Sequence, residues 1–447
     1  MRRALLLAAT IAGCASPSPA MNAEPTEVGA RYLSIGADAV DTARAVSTRD
    51  GAHLELFETV GDVAVIGFDA EDLEALSEQM HARHDRCGGF MLHESLAEAH
   101  AAASPDASTP IAMDYTLDRA ATVGAVLPAL DPARIVGTIG ELSRMKNRYY
   151  RSESGAAASA WLRDRWRSFS DRTDVTVELF DQGYPQKSVI LTIPGTTRAD
   201  EVVVIGGHLD SIAAGQSASN APGADDDASG IATLTEVART LLAKDFRPER
   251  TIKFMAYAAE EVGLRGSQAI VRDFKKRKVN VVGVLQLDMT NYQGSDRDIW
   301  LMKDYTNAAQ NGFLVKLIES YVGATWGIDA CGYACSDHAS WNRAGIPASM
   351  PFESRMRDHN RAIHSAKDTL EMSGNNAAHA VKFARLGAAF AIELAKGELG
   401  PTASMATAPP AVAHATGCDW ERVAFALSIA LALGCLGIER LTLRRLS

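Results

Sequence analysis

Apolar positions along the chain follow two rhythms. Glu201–Gly206, Thr251–Tyr257 and Val279–Leu287 are short runs, largely apolar and rich in β-branched residues. Such runs, lacking polar alternation, predict strands buried on both faces. Between and around them, Ser229–Ala243 and Asn307–Tyr321 predict helices, and Ser159–Phe169 sets Trp161, Leu162 and Trp166 on one helical side. Strands alternating with helices predict an α/β fold, a mainly parallel mixed β-sheet sandwiched between helices. Residues 109–397 supply enough chain for one large core. Upstream, His53–Phe57 and Asp62–Phe68 predict short strands, and Asp69 is placed to cap a helix from Ala70 to about Arg83. A small α+β unit over residues 22–108 is therefore expected, with the Ala/Ser/Pro-rich stretch Ala101–Pro110 as its linker. No internal repeat is present.

The two ends follow other rules. Arg2, Arg3 and the apolar run Ala4–Ala12 predict a targeting signal within residues 1–20. That run is far short of the roughly 20 residues a spanning helix needs. Ile11-Ala12-Gly13-Cys14 is similar to a lipoprotein box, with cleavage near Ala20 the plainer alternative. Residues 398–417 are Ala-, Pro- and Thr-rich and predict a linker. Val423–Ile438 carries no charge and is followed by Arg440, Arg444 and Arg445. Residues 418–447 are thus expected to be a C-terminal sorting or anchor segment. Together the ends predict export, to a secreted or cell-envelope location in a bacterium.

Composition narrows the function. The chain holds 45 Lys and Arg against 55 Asp and Glu, a net charge of −10 without a basic stripe, which argues against a nucleic-acid partner. Six cysteines in 447 residues are too few for a disulfide-built scaffold. Cys331 and Cys335 lie close enough to pair in an oxidising compartment; metal binding is the other option, with no second soft pair nearby. Cys87, Cys418 and Cys435 find no evident partner.

Chemistry gathers where strands end. The run at 201–207 leads into His208-Leu209-Asp210, the run at 251–257 into Glu260-Glu261, and the run at 279–287 into Asp288. Open α/β sheets bind ligands outside the carboxyl ends of their strands. The turn Gly223–Gly230 adds Asp225, Asp226 and Asp227 in succession. Capping the next helix accounts for one of these; a bound cation relieves the repulsion among all of them. His81 and His84, three apart on the upstream helix, read as a solvated polar face rather than a metal site. His338 reads as a structural residue beside the site.

The segments GGHLDS, APGADDDASG, MAYAAEEVGLRGS, LQLDMTNY, CGYACSDHASW and IHSAKDTL occur in this order. Their order and spelling resemble the secreted bacterial di-zinc leucyl aminopeptidases, over roughly Tyr115 to Lys396. The resemblance implies a pair of zinc ions acting on peptides with a free N-terminus. It implies that His208 and Asp288 hold one zinc, Glu261 and His364 the other, and that Asp226 bridges them across a cis Asp226–Asp227 peptide. Glu260 is implied as general base and Tyr333 as donor to the developing oxyanion. Asp210 is implied to accept the free ring N–H of His208, with Asp227 supporting another ligand similarly. A Cys331–Cys335 disulfide would shape the loop carrying Tyr333. Met289, Phe352 and Ile363 would line a hydrophobic pocket, where Met356 and His359 stand at positions usually aromatic. The upstream unit resembles the family's propeptide, and the catalytic domain is expected to be monomeric. A mono-zinc glutaminyl cyclase and an inactive binding ectodomain are the competing functions; the full ligand set disfavours both.

Overall fold

The computed structural model describes residues 30–47, 54–103 and 113–401. The targeting signal with Cys14, most of the Ala101–Pro110 linker, and the segments carrying Cys418 and Cys435 lie outside these residues.

The upstream unit is an α+β layer richer than its sequence suggests. Its elements are β1 (Ala30–Gly36), α1 (Val40–Ser47), β2 (Glu55–Val60), β3 (Val63–Asp69), α2 (Leu73–His84), β4 (Phe90–His93) and α3 (Leu96–Ala103). The strands form one sheet in the order β2-β3-β1-β4. The expected helix from Ala70 opens instead as a 3-10 turn, Ala70–Asp72, capped by the Asp69 carboxylate on the Glu71 amide, before α2 begins. Ala101–Ala103, expected in the linker, close α3 and are tied to the unit's core by Ala102 and Ala103.

The larger region begins with α4 (Ala120–Val126), α5 (Pro132–Ser143) and α6 (Glu153–Arg167), then β5 (Thr176–Phe180), β6 (Ser188–Ile193), β7 (Arg198–His208) and α7 (Ala228–Ala243). It continues through β8 (Phe246–Arg247), β9 (Arg250–Tyr257), α8 (Arg265–Arg277), β10 (Asn280–Gln286), β11 (Ile299–Met302), α9 (Ala308–Leu317) and β12 (Trp326–Asp329). The last elements are α10 (His338–Arg343), β13 (Ala348–Ser349), β14 (Pro351–Phe352), α11 (Ala380–Ala395) and β15 (Glu398–Leu399). A six-stranded sheet runs β13-β10-β7-β9-β6-β5, parallel from β13 to β9 and antiparallel at β6 and β5. This is the expected α/β sandwich.

The central strand explains its own sequence. Val203 and Ile205 of β7 pack toward α7 and α11, whereas Val202 and Val204 pack toward Ile270, Phe274 and Trp341 on the other face. Both faces are buried, so alternation is lost. The chain leaves β7 through α7 to β9 on one side, then returns through α8 to β10 on the other. The helices of these two crossovers lie on opposite faces. Beyond the C-terminal end of β7, this reversal opens a crevice.

Candidate metal centre and active site

Strand ends deliver the donors to that crevice. His208 ends β7, Glu260 and Glu261 follow β9, and Asp288 follows β10. Asp226 comes from the turn before α7, and His364 from the loop between β14 and α11. His208 Nε2 lies 2.9 Å from Asp226 Oδ1 and 3.7 Å from Asp288 Oδ1. His364 Nε2 lies 3.2 Å from Asp226 Oδ2 and 2.8 Å from Glu261 Oε2. The two oxygens of Asp226 thus face two separate donor groups.

His208 Nε2 and Asp226 Oδ1 are hydrogen-bonded, but the donors on the other side of Asp226 are close without being mutually satisfied. Despite the 2.8 Å approach, His364 Nε2 and both Glu261 carboxylate oxygens make no aligned hydrogen bond, and all three are buried. Donors that converge in distance but not in hydrogen-bond direction point at a shared centre. The charge balance agrees. Asp225, Asp226, Asp227, Glu260, Glu261, Asp288, Asp337 and Asp368 are all buried here, with Arg148 as a buried cation among them. Uncompensated buried charge costs several kcal/mol per ion, so the cluster calls for added cations. Imidazole and carboxylate donors, three on each side of Asp226 when it is shared, suit divalent zinc with a position left open.

Electrostatics reports the same demand. Burial alone would raise the Asp226 carboxyl, but the His208 and His364 imidazoles hold it well below the usual range. Burial and the Asp226 charge push Glu261 up to about 7. Burial pushes Glu260 well up, with Asp337, Glu261 and Asp288 adding to the rise. A cation reverses the upward shifts of Glu260 and Glu261 and deepens the downward one of Asp226, because it favours the charged carboxylates.

The acidic turn divides its labour. The Asp226–Asp227 peptide is cis, as the resemblance implied. Asp227 turns away from the donors and accepts backbone N–H groups from His208 at 2.9 Å, Gly230 at 3.0 Å and Met289 at 3.1 Å. One carboxylate therefore caps α7 and pins the ends of β7 and β10 together. Gly230 is required by this approach, since a Cβ there would sit 2.4 Å from the Leu287 carbonyl oxygen. Ala259, Met289 and His364 all adopt left-handed backbone, at φ of 56°, 54° and 52°. Strain of about 1–3 kcal/mol each thus accumulates at the site, as it does where geometry is imposed for function.

Asp210 has a part beyond the expected one. Its oxygen lies 3.5 Å from His208 Nδ1 without an aligned hydrogen bond. The carboxylate is spent on the backbone amides of Glu260 at 3.0 Å and Glu261 at 3.2 Å. It holds the turn that carries both glutamates. Several supports were absent from the sequence reading. Asp368 accepts the amides of Asp225 and Asp226 at 3.0 and 3.1 Å. Ser336 donates to Asp288 at 2.5 Å. Arg148 donates to the carbonyls of Leu209, Pro222 and Gly223, stitching the loop between β7 and the acidic turn. His338, expected as a structural residue, is buried with its ring against the Asp304 carbonyl at 3.1 Å.

The pocket residues assemble beside the donors. Met289, Phe352 and Ile363 form one apolar cluster with Tyr333, Trp300, Met302 and Met350, with Met356 and the Cys331–Cys335 disulfide at its edge. His359 is buried, its Nδ1 2.5 Å from the Met356 carbonyl oxygen and its Nε2 without a partner.

The comparisons bear on this arrangement. The model of peptidase family M28 matches residues 188–388. Leucine aminopeptidase 1 of Ajellomyces capsulatus is 34% identical over 307 residues, covering 66% of this chain and 79% of that protein. The chain belongs to peptidase family M28. Leucine aminopeptidase 1 of Metarhizium robertsii is 38% identical over 280 residues, 59% of this chain and 70% of that one. The crystal structure of the Legionella pneumophila LapA aminopeptidase superposes with a TM-score of 0.72 at 29% identity, covering 83% of this chain and all of that one. These relatives come from fungi as well as from a bacterium, so the likeness carries the family and not a bacterial branch of it.

In this M28 peptidase the upstream unit lies over the crevice. Leu33, Leu76, Met80, Phe90 and Leu92 share one apolar cluster with Tyr149, Tyr150, Ile212, Ala259 and Val262 of the larger region. Ser77 Oγ donates to the Glu261 carbonyl at 2.5 Å, and the Leu92 amide donates to the Gly263 carbonyl at 3.1 Å. His81, expected on a solvated face, instead packs its ring 4.8 Å from that of His364. The helix turns that face inward because Leu73, Leu76 and Met80 anchor α2 against the crevice rim. The Tyr333 hydroxyl accepts the Cys87 amide N–H at 3.0 Å, and Arg86 stacks over its ring.

Proposed function

We propose that the protein is an exported di-zinc aminopeptidase that releases hydrophobic, Leu-like residues from peptide N-termini. The observation that carries this is Asp226, whose two oxygens face two donor sets, His208 with Asp288 and Glu261 with His364. Two bound zinc ions would supply Lewis acidity for the scissile carbonyl, lower the pKa of the attacking water and receive the substrate's free amine. Glu260 is buried at the same rim and is not among the donors in contact with Asp226, so it is free to take a proton from the attacking water and return it to the leaving amine. Tyr333 would donate its hydroxyl hydrogen to the developing oxyanion, a hydrogen left free by the Cys87 amide, which takes only a lone pair of the hydroxyl oxygen. The apolar cluster of Met289, Phe352, Ile363 and Met356 would take the side chain of the departing residue. The names of the M28 relatives support the peptide substrate, and the acidic surface charge gives no reason to add a nucleic acid.

We further propose that residues 22–108 form a removable inhibitory unit, since they cover Glu261, His364 and Tyr333. Cleavage is expected between Ala101 and Tyr115, after α3, in a stretch mostly outside the described residues. The full chain should be less active than the trimmed one; equal activity would make the unit a permanent accessory domain. Titrating metal-free trimmed protein with one and then two equivalents of zinc, while assaying Leu-p-nitroanilide, tests the site. Full activity at one equivalent would favour a mono-zinc enzyme, and none at two would leave an inactive binding domain.

A further inference from the structure

Cys87 lies at the tip of the turn joining α2 to β4, and it packs at the edge of the pocket cluster. The tip is fixed from several directions. Asp85 pairs with Arg361, Arg86 pairs with Asp38 at 2.8 Å, and the Cys87 amide donates to Tyr333. The left-handed backbone at Asp85, Gly88 and Gly89 folds the tip tightly enough to enter the crevice. Its Sγ lies 3.9 Å from Asp226 Oδ2. Ligating atoms of Cys87, Asp226 and His364 all fall within 4.8 Å of one another.

An independent observation meets it there. Both oxygens of Glu261 and Nε2 of His364 are buried without an aligned hydrogen bond; that Nε2 lies 3.2 Å from the same Asp226 oxygen and 2.8 Å from Glu261 Oε2. That site therefore has three hard or borderline donors and lacks a fourth. Cys87 is the free cysteine among the described residues, because Cys331 and Cys335 are consumed by their disulfide. Zinc takes thiolate readily, and four protein ligands close a site that three leave open.

We propose that Cys87 is a removable fourth ligand of the Glu261–His364–Asp226 site, which keeps the uncut chain latent by closing its coordination. This rests on the zinc site and the inhibitory unit proposed above. On ligation the thiol loses its proton to solvent as the sulfur–zinc bond forms. When the unit departs, that bond breaks, water takes the vacated position and the thiolate regains a proton. Latency is then chemical as well as steric.

The test uses the full chain, metal-loaded, beside Cys87→Ser and Cys87→Ala. With zinc, X-ray absorption should show sulfur at about 2.3 Å in the wild type and only nitrogen and oxygen in both variants. With cobalt, the wild type should show a thiolate-to-metal charge-transfer band in the near ultraviolet, lost in the variants and lost on trimming. The wild-type spectra decide even if a variant misfolds. A loaded full chain without sulfur scattering and without the band overturns the latch; if trimming still raises its activity, the steric inhibitor survives alone. A sulfur signal that persists in both variants also overturns it, since another cysteine would then be the ligand. A full chain as active as the trimmed one removes the inhibitory reading and the latch together, and failure to take up metal removes the zinc site itself.

Discussion

Replacing Asp210 separates two ways of supporting a metal site. Its carboxylate is fully buried and takes the amides of both Glu260 and Glu261. In Asp210→Ala those two amides lose their acceptor inside the protein. A buried unsatisfied amide costs roughly 1–3 kcal/mol, so the turn would lose about 2–6 kcal/mol before relaxation. Asp210→Asn keeps one acceptor oxygen and turns its NH2 toward the other amide, so about half is lost, roughly 1–3 kcal/mol or 5- to 150-fold. That loss falls on the turn carrying the proposed base and a proposed ligand. Calorimetric titration of zinc into metal-free Asp210→Asn should therefore show a weakened site, and kcat should fall with it. A double-mutant cycle locates the effect: coupling to Glu261→Gln is expected, because Asp210 acts through that backbone. If coupling instead appears only with His208→Ala, the ring of His208 is the true client of Asp210. Two zinc affinities and a kcat/KM within twofold of wild type would refute the reasoning altogether.

Other outcomes follow from the same geometry. Glu260→Gln should keep both zinc ions by elemental analysis yet lose at least about 100-fold in turnover, and activity within about tenfold of wild type would remove it as general base; Asp226→Ala should lose metal from both sites. Burial, reinforced by Arg343 and Arg272, holds the His93 imidazole down to about 3, while its Nε2 meets Ser34 Oγ at 2.9 Å. The unfolded His93 titrates near 6.5, so its stabilising effect is complete above that pH and declines as pH falls toward 3, by about 2 kcal/mol at pH 5. Proteolysis of the upstream unit should accelerate between pH 7.5 and 5 in the wild type and less so in His93→Gln; identical pH responses would clear His93 of the effect. Leu, Met and Phe nitroanilides should exceed Lys and Glu nitroanilides in kcat/KM by well over tenfold, because moving a charged side chain from water into the apolar cluster costs several kcal/mol; Lys or Glu outrunning Leu would place the pocket elsewhere.

The legible parts of the chain were those with a physical signature confined to a few consecutive residues. Strands β7, β9 and β10 announce themselves because burial on both faces removes alternation. The donors stand out because polar residues at the ends of such strands have no packing purpose. Strand β4 left no comparable mark: Phe90–His93 is four residues long and ends in a histidine. Asp368 lay within one of the quoted motifs, four positions after His364, and its carboxylate spacing was an available signal. Arg148 offered none. It acts through carbonyls 61 to 75 positions away, and any arginine in a loop looks alike until the chain folds. The roles of His81 and Cys87 are hidden in the sequence for a related reason. Their partners belong to the other region, and a helix face that packs on a distant loop carries the same polar pattern as one that meets water.

The apolar cluster joining Phe90 and Leu92 to Tyr149, Tyr150 and Val262 has a kinetic consequence. The proposed cut in the linker would leave every one of those contacts in place and remove only the tether. Before the cut the two parts meet at the high effective concentration of a single chain; afterwards they meet at whatever concentration the solution provides. A nicked enzyme at high concentration would stay silent and wake on dilution, with a lag set by how slowly the buried aromatic and aliphatic surface parts. Crowded storage and dilute surroundings would then be told apart by mass action, with no further signal needed.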